Sequence, residues 1–395
     1  MKDLPPLILA INDKRDLEQV VKSFQMSQDK PSIWEEKGLH YLMRLYDLNP
    51  QAIYILKQEA LALGIDCLFF KNEDSWEALM GAFESQLLSL SRKLNGESSL
   101  FSSLGKNMEE LLQNLRTNPR PSSFRGKTFQ WGERTYIMGI INLTPDSFSG
   151  DGLSGSIERA LQKAEEMVNQ GADIIDVGAE STRPGHTPIT AEEEWRRLEP
   201  FLREFLPWAP VPVSLDTYKE EVAKKGLEMG VDIINDIWGL RRSPGIGKLV
   251  QEYQAGLILM HNREEPIYRH LLPEVLRDLK ECVDWALEWG IPREKIIVDP
   301  GFGFGKTAEH GYQILKNLRA FRSLGFPLLV GLSRKSFIGK ITGKPPQERL
   351  MGTAAYCALA IEEGCDILRV HDVAEIKEVA SVCDRIFRSP DTAPV

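Results

Sequence analysis

Cysteine is scarce in this sequence and shows no pattern. Cys67, Cys282, Cys357, Cys365 and Cys383 are odd in number and contain no CxxC spacing. That argues against a disulfide framework and fits small buried hydrophobes in a reducing cytoplasm. Histidine is sparse too, with six in the chain, and no Cys/His spacing suits a zinc site. Positive charge is in deficit: 48 Lys and Arg stand against 57 Asp and Glu, a net charge of −9. A nucleic-acid binder would usually be basic, although local charge can still serve an anionic ligand. Long apolar runs are missing as well. None would span a bilayer, and Leu7–Ile11 is too short for a signal-peptide core and lacks a cleavage pattern. The expectation is a cytoplasmic protein of small-molecule substrates, without nucleic acid or membrane as partner.

A chain of 395 residues suits two domains better than one. Residues 1–120 read as a small α/β domain of no evident chemistry. Leu7–Ile11 and Asp66–Phe70 have strand character, while Lys14–Phe24, Trp76–Leu94 and Met108–Leu115 read as helical. Asn49-Pro50 supplies an N-cap and a first-turn proline for a helix that Gly64 closes. Lys57, Glu59 and His40 read as solvated or locally paired. Asn118–Ser123 is a linker by composition. Thr128–Thr135 is expected to form a hairpin that turns near Gly132 and caps the closed end of the downstream domain.

From Tyr136 a strand, a polar loop and a helix recur. Strands are expected at Tyr136–Asn142, Asp173–Gly178, Val211–Asp216, Asp232–Asp236, Gly256–His261, Lys295–Asp299, Pro327–Leu332 and Asp366–Val370. Helices are expected at Ile157–Asn169, Ala191–Phe205, Glu220–Met229, Glu274–Trp289, Tyr312–Leu324, Pro346–Glu363 and Ala374–Phe387. This alternation over Tyr136–Phe387 matches the ~250 residues of a (β/α)8 barrel. The fold class is therefore α/β: a (β/α)8 TIM barrel over 121–388, preceded by the smaller N-terminal α/β domain and followed by a tail at 389–395. An open doubly wound sheet is the alternative, but no GxGxxG follows the first strand.

In a barrel, chemistry collects where strands end and βα loops begin. The first such place is Met138–Asp151, where an apolar strand empties at Asn142 into Thr, Pro, Asp146, Ser and Gly. Later strand ends carry Glu180, Ser181, Thr182, Arg183 and Pro184; Asp216; Asn235 and Asp236; Met260 and His261; Asp299 and Phe304; Gly331; Ser333, Arg334, Lys335 and Ser336; and Arg369 and His371. Each alone has a bland reading. Asp216 could be a helix N-cap, and His261 a packed core histidine. A polar residue at every strand end is harder to dismiss. Asp216, Asn235, Asp299 and Lys335 can read a flat heterocycle bearing N–H and C=O groups. Arg369 and His371, with Asn142 and Thr182, suit an anion such as pyrophosphate. A hard metal such as Mg²⁺ would bridge that anion with few protein ligands, Asn142 the best placed. Gly301-Phe-Gly-Phe-Gly305-Lys306-Thr307 imitates a Walker A loop, but its first glycine stands one residue too close. It reads instead as a glycine-rich loop folding Phe304 over the barrel mouth.

These motifs resemble the dihydropteroate synthase family. Met138–Ser149 and Gly171–Gly185 are similar to its two signatures. Asp299–Lys306, Ser333–Gly339 and Arg369–Val373 follow in the family's order, and the resemblance covers about Phe124–Phe387. It implies condensation of 6-hydroxymethyl-7,8-dihydropterin pyrophosphate with p-aminobenzoate, giving 7,8-dihydropteroate and pyrophosphate in folate biosynthesis, and a sulfonamide target. It implies that Asp216, Asn235, Asp299 and Lys335 hold the pterin, with Met260 and Gly331 beside them. Asn142 would bind Mg²⁺ and, with Arg369 and His371, the pyrophosphate. Thr182, Arg183, Pro184, Phe304 and Ser336 would line the aminobenzoate pocket, and Asp146 would face positive charge developing on the pterin methylene. A homodimer is the family expectation. Ser-Gly-Asp-Gly at 149–152 replaces the usual Ser-Asp-Gly-Gly, and Leu143 replaces a common Val. The first ~120 residues lie outside the core family, and the stretch Ile55–Gly64 resembles an extension seen on some bacterial members.

Two rivals use the same barrel. A pterin-dependent methyltransferase would share the Asp and Asn readers, but has no use for Lys335, Arg369 and His371 as an anion set. A non-catalytic pterin-binding protein would be expected to lose those residues first.

Overall fold

The computed structural model describes residues 37–72, 75–96, 99–144, 152–180 and 188–389. The strand and helix expected before residue 37, and most of the tail, lie outside the described residues. The chain divides into two units between Thr117 and Asn118.

The N-terminal unit holds an antiparallel sheet of β1 (His40–Leu48), β2 (Asp66–Lys71) and β3 (Trp76–Phe83), in the order β1-β3-β2. The helix Pro50–Ala62 follows β1, and Asn49 caps it by accepting the Ala52 N–H at 2.8 Å. The helices Glu84–Asn95 and Ser99–Arg116 complete the unit. One expectation fails here. Trp76–Leu94 is not one helix, because its first eight residues form the central strand. Ala, Leu, Met and Glu favour helices, but Ala78, Met80 and Ala82 are buried in alternation, and packing on both edges overrides propensity. Strand β1 is likewise not among the strands expected from the sequence.

The second unit opens with a hairpin of β4 (Ser122–Phe124) and β5 (Lys127–Phe129). It turns at Arg125-Gly126, both at positive φ, rather than near Gly132, and its first strand absorbs the end of the expected linker. Two consecutive positive-φ residues make the primed turn that matches strand twist. The remaining strands are β6 (Tyr136–Asn142), β7 (Ile174–Gly178), β8 (Val213–Asp216), β9 (Ile233–Asp236), β10 (Gly256–Met260), β11 (Ile296–Asp299), β12 (Leu329–Val330) and β13 (Ile367–Val370). All pair in parallel, in the order β11-β10-β9-β8-β7-β6-β13-β12. A parallel bridge between Val298 and Leu328 closes the circle. The eight strands alternate with helices as expected, the strand boundaries shifted by a residue or two and several helix starts by three to five, while the expected helix Tyr312–Leu324 is an α-helix over Ala308–Lys316 followed by a 3-10 helix over Leu318–Leu324. The helices Gly245–Glu252 and Ser336–Thr342 are additions to the expected set; the first is short and glycine-bearing, the second about two turns long after a loop.

Side-chain parity places the core and the site together. Successive strand residues point to opposite faces. Ile137, Ile175, Val177, Val213, Leu215, Ile234, Leu257 and Leu259 pack outward in one cluster with the helices. Their neighbours Tyr136, Met138, Ile174, Ile233, Ile258, Ile297, Leu329 and Ile367 point inward and form a second cluster with Phe124, Phe129 and Trp131. The hairpin aromatics therefore fill the barrel from the strands' N-terminal end, and the Trp131 indole N–H reaches Ser122 Oγ at 2.9 Å. The inward positions at the opposite end are left for polar groups.

Candidate active site

Continuing the same parity along each strand brings Asn142, Asp176, Asp216, Asn235, Met260, Asp299 and Arg369 to the inward face near the C-terminal ends. Asp216 pairs in register with Asn235, while Asp176 pairs with Ser214 and so lies a layer deeper. Asp176 is fully buried and is not among the sequence candidates. Arg369 joins the layers. Its Nε donates to Asp176 Oδ2 at 2.6 Å, and its Nη2 donates to Asp216 Oδ2 at 2.7 Å. Burial opposes its charge, but the two carboxylates outweigh burial and raise its pKa further. The heterocycle readers and the anion set are thus not two separate groups, because Arg369 bridges them.

Burial sets the titration of the rest. The Asp216 carboxyl is pushed up to about 7 by desolvation, with Arg369 opposing. Asp299 is pushed up to about 6 by burial, while the Gly301 N–H it accepts at 2.7 Å pulls the other way. Lys335 is lowered to about 8, first by burial and then by Arg369. Its ammonium sits 4.5 Å from the centre of the Phe304 ring. A Cβ at Gly331 would meet nothing within 4 Å, so that strand end opens onto free space. Ser336 is exposed at the start of its helix.

His371 Nδ1 lies 3.0 Å from Ser333 Oγ, which also accepts the His371 backbone N–H at 3.2 Å. Burial, then Arg334, Arg369, Lys163 and Lys335, lowers its pKa to about 3. His371 is therefore neutral at pH 7 and offers a hydrogen bond, not a charge. Lys163, on the helix Gly152–Asn169, is no sequence candidate, because nothing in a helix interior marks it as facing a barrel mouth. Arg334, at φ 58, is held to Asp372 with Nε 3.1 Å from Oδ2. An anion placed among these cations should raise the His371 pKa. We expect its imidazole to stay neutral at pH 6 in the free protein and to gain a proton when pyrophosphate and Mg²⁺ are added. Nitrogen-detected NMR of the ring reads this directly, and an unchanged ring would refute it.

Other candidates fall elsewhere. Asp236 has outward parity and accepts its own loop's N–H groups, from Trp238 at 2.8 Å and Leu240 at 2.7 Å. His261 follows inward Met260, so it points out of the barrel, where Nε2 meets Asp278 at 3.2 Å. Glu180 is bound by the Tyr218 hydroxyl at 2.9 Å and by Lys219. Asp146, Thr182, Arg183 and Pro184 lie outside the described residues.

The comparisons with known proteins agree with this geometry. The family described as pterin binding enzyme matches residues 138–371. A dihydropteroate synthase of Clostridium beijerinckii is 46% identical over 263 residues, covering 66% of this chain and 98% of that protein. The chain belongs to the dihydropteroate synthase family. A Clostridium difficile dihydropteroate synthase, solved in the presence of pteroic acid, superposes with a TM-score of 0.65 at 44% identity, over 66% of this chain and 100% of that one. A probable bifunctional folylpolyglutamate synthase/dihydropteroate synthase of Halobacterium salinarum is 38% identical over 358 residues, 87% of this chain and 43% of that protein. Coverage that wide exceeds the second unit and runs into the N-terminal one, so the likeness to that protein is not confined to the barrel. Among the described residues no helix is long and apolar enough to cross a membrane.

Proposed function

We propose that the chain condenses 6-hydroxymethyl-7,8-dihydropterin pyrophosphate with p-aminobenzoate to give 7,8-dihydropteroate and pyrophosphate. The observation that carries the reading is the convergence of Asp216, Asn235, Asp299, Lys335 and Arg369 at one barrel mouth, in a member of this family. Asp216 and Asp299 accept from ring N–H groups, Asn235 both donates and accepts, and Lys335 reaches a ring oxygen or nitrogen. Met260 and Gly331 border the ring. Arg369, His371 and Lys335 stabilise the charge that grows on the departing pyrophosphate. Phe304 and Ser336 are assigned to the aminobenzoate pocket, and Thr182, Arg183, Pro184 and Asp146, which lie outside the described residues, take the roles that the family resemblance implies. The nucleophile is an aromatic amine, neutral at pH 7, so the site has no need of a strong base.

The donors fit one hard metal ion. The Asn142 side chain makes no hydrogen bond to the described residues, and those residues contain no cluster of three acidic, His or Cys ligands. An amide oxygen alone suits Mg²⁺ that is held mostly by substrate phosphates, where it would neutralise leaving-group charge. Exposed Met351, Leu359, Val382 and Ile386 lie on the adjacent helices Leu350–Glu362 and Val373–Phe387. That apolar surface supports a homodimer through these helices, which sedimentation would detect.

Pyrophosphate release that requires both substrates tests the activity. Release failing with both present, or methyl transfer from methyltetrahydrofolate instead, would reject it. We further propose that the unit from Asn118 onward carries the whole reaction. A chain shortened to begin there should keep kcat within tenfold. A loss beyond a hundredfold in a folded protein, ~2.7 kcal/mol of barrier, would give the N-terminal unit a part in the site.

A further inference from the structure

We propose that Asp278, His261 and Lys306 form a buried relay that positions the glycine-rich loop 301–305, and with it Phe304, at the barrel mouth; the functional consequence rests on Phe304 lining the aminobenzoate pocket.

Lys306 closes the loop that imitates a Walker A motif, yet its nitrogen turns inward. It lies 2.7 Å from His261 Nδ1, 3.0 Å from Phe304 O, 3.1 Å from Gly301 O and 3.3 Å from His261 O. Two of these acceptors belong to the glycine-rich loop and two to the loop after β10, so one nitrogen stitches two βα loops together. The glycines make that contact possible. Gly301 and Gly305 have positive φ, and a Cβ on either would overlap the backbone of His261 or Arg263. The Tyr268 hydroxyl adds a bond to Gly305 O at 2.7 Å.

The partners set the proton pattern, although burial lowers the pKa of Lys306 itself to about 7. Burial lowers the His261 pKa to about 4, so the ring is neutral at pH 7. Asp278 is ionised: burial works against it, but bonds from His261 and Arg263 hold it well below the usual range. A carboxylate only accepts, so the single ring proton sits on Nε2 and faces Asp278. Nδ1 then presents its lone pair to Lys306. Arg263 fixes the far end, donating to Asp278 from Nε at 2.9 Å and Nη2 at 2.7 Å. The chain of contacts therefore runs from the helix Leu271–Glu288 through His261 and Lys306 to the Phe304 carbonyl. Beyond it, the Phe304 ring packs on Lys335. Among the described residues Lys306 makes no hydrogen bond to an inward-facing strand residue, although its charge helps to hold Asp299 ionised, and it acts as a positioning residue.

Lys306→Met keeps the length of the side chain and removes every one of these contacts, which the three ammonium N–H donors share. The KM for p-aminobenzoate should rise about tenfold, while kcat and the KM for the pterin substrate change less than threefold. Phe304→Leu should raise the same KM, and the double variant should be no worse than Phe304→Leu alone, because both act through one ring. A KM for p-aminobenzoate within twofold of the natural protein, or effects that multiply in the double variant, would overturn the proposal. If Lys306→Met does not fold, His261→Phe breaks the relay at its middle and is read by the same constants. Two readouts do not depend on activity. The His261 ring should hold the Nε2–H tautomer from pH 5 to pH 8, and amide exchange at residues 303–305 should quicken in either variant. An Nδ1–H tautomer, or unchanged exchange, refutes the relay even if the natural protein proves inactive, whereas inactivity of the natural protein refutes only the proposed function.

Discussion

Arg369→Ala should lower kcat/KM by about a thousandfold, ~4 kcal/mol, and destabilise the fold by a comparable amount. Its two partners are the reason. Asp176 is fully buried and Asp216 nearly so, and Arg369 is the cation that lies against both, at 2.6 and 2.7 Å. Without it the two carboxylates remain in a low-dielectric interior with no cation between them. Removing one partner of a buried pair costs about 3–5 kcal/mol, because the other charge stays desolvated. A pH dependence of definite sign results. Loss of Arg369 takes away the cation that opposes burial at Asp216, so its folded-state pKa rises further and the folded variant binds more protons near neutral pH. Its melting temperature should therefore rise more steeply as pH falls from 8 to 6 than that of the natural protein, in which Asp216 already takes up its proton at about 7. Asp176→Asn is the informative companion, since it releases one arm of Arg369 without stranding a charge. If Arg369→Ala melts like the natural protein at pH 8, these contacts do not carry the energy assigned to them.

Lys335→Met should cost about a hundredfold in kcat/KM for the pterin substrate and change the shape of the pH profile. In the natural protein the profile should be a bell. Its acid limb reports Asp299 and Asp216, at about 6 and about 7, since their protonation removes acceptors for ring N–H groups. Its alkaline limb reports loss of the Lys335 proton at about 8. Lys335 helps to hold both acids ionised. Without it their pKa values rise, so the acid limb moves to higher pH and the alkaline limb disappears. A variant whose alkaline limb persists near pH 8 would show that another group titrates there.

The barrel is legible in the sequence because its strands are buried on both faces and read as short apolar runs between polar loops. The site is legible to the extent that strand ends are. Period-two parity goes further. Counting back from Gly178 puts Asp176 on the inward face, and the same count sends Asp236 and His261 outward. Strand ends without that count pass over Asp176 and leave His261 undecided. Trp76–Phe83 misleads for a different reason. Its residues favour a helix, and only its two strand neighbours make it a strand. Lys163 is beyond reach of the sequence, since its place beside His371 depends on how a whole helix packs. The turn at Arg125-Gly126 is open to inspection as a residue and glycine pair, but the aromatic run after it draws the expected hairpin too far along.

The aromatic hairpin beneath the barrel has a consequence for traffic. With Phe124, Phe129 and Trp131 stoppering the far end, the barrel is a cul-de-sac with a single doorway. In the proposed reaction, the groups that read the pterin lie at the inner end, and Phe304 and Ser336, which would receive the amine, lie on loops beyond the strand ends. Whichever molecule enters second bars the way out for the first. Entry would then be queued, pterin before amine. The reaction joins the two, so the dihydropteroate formed would reach from the inner end to the threshold and leave by the same opening.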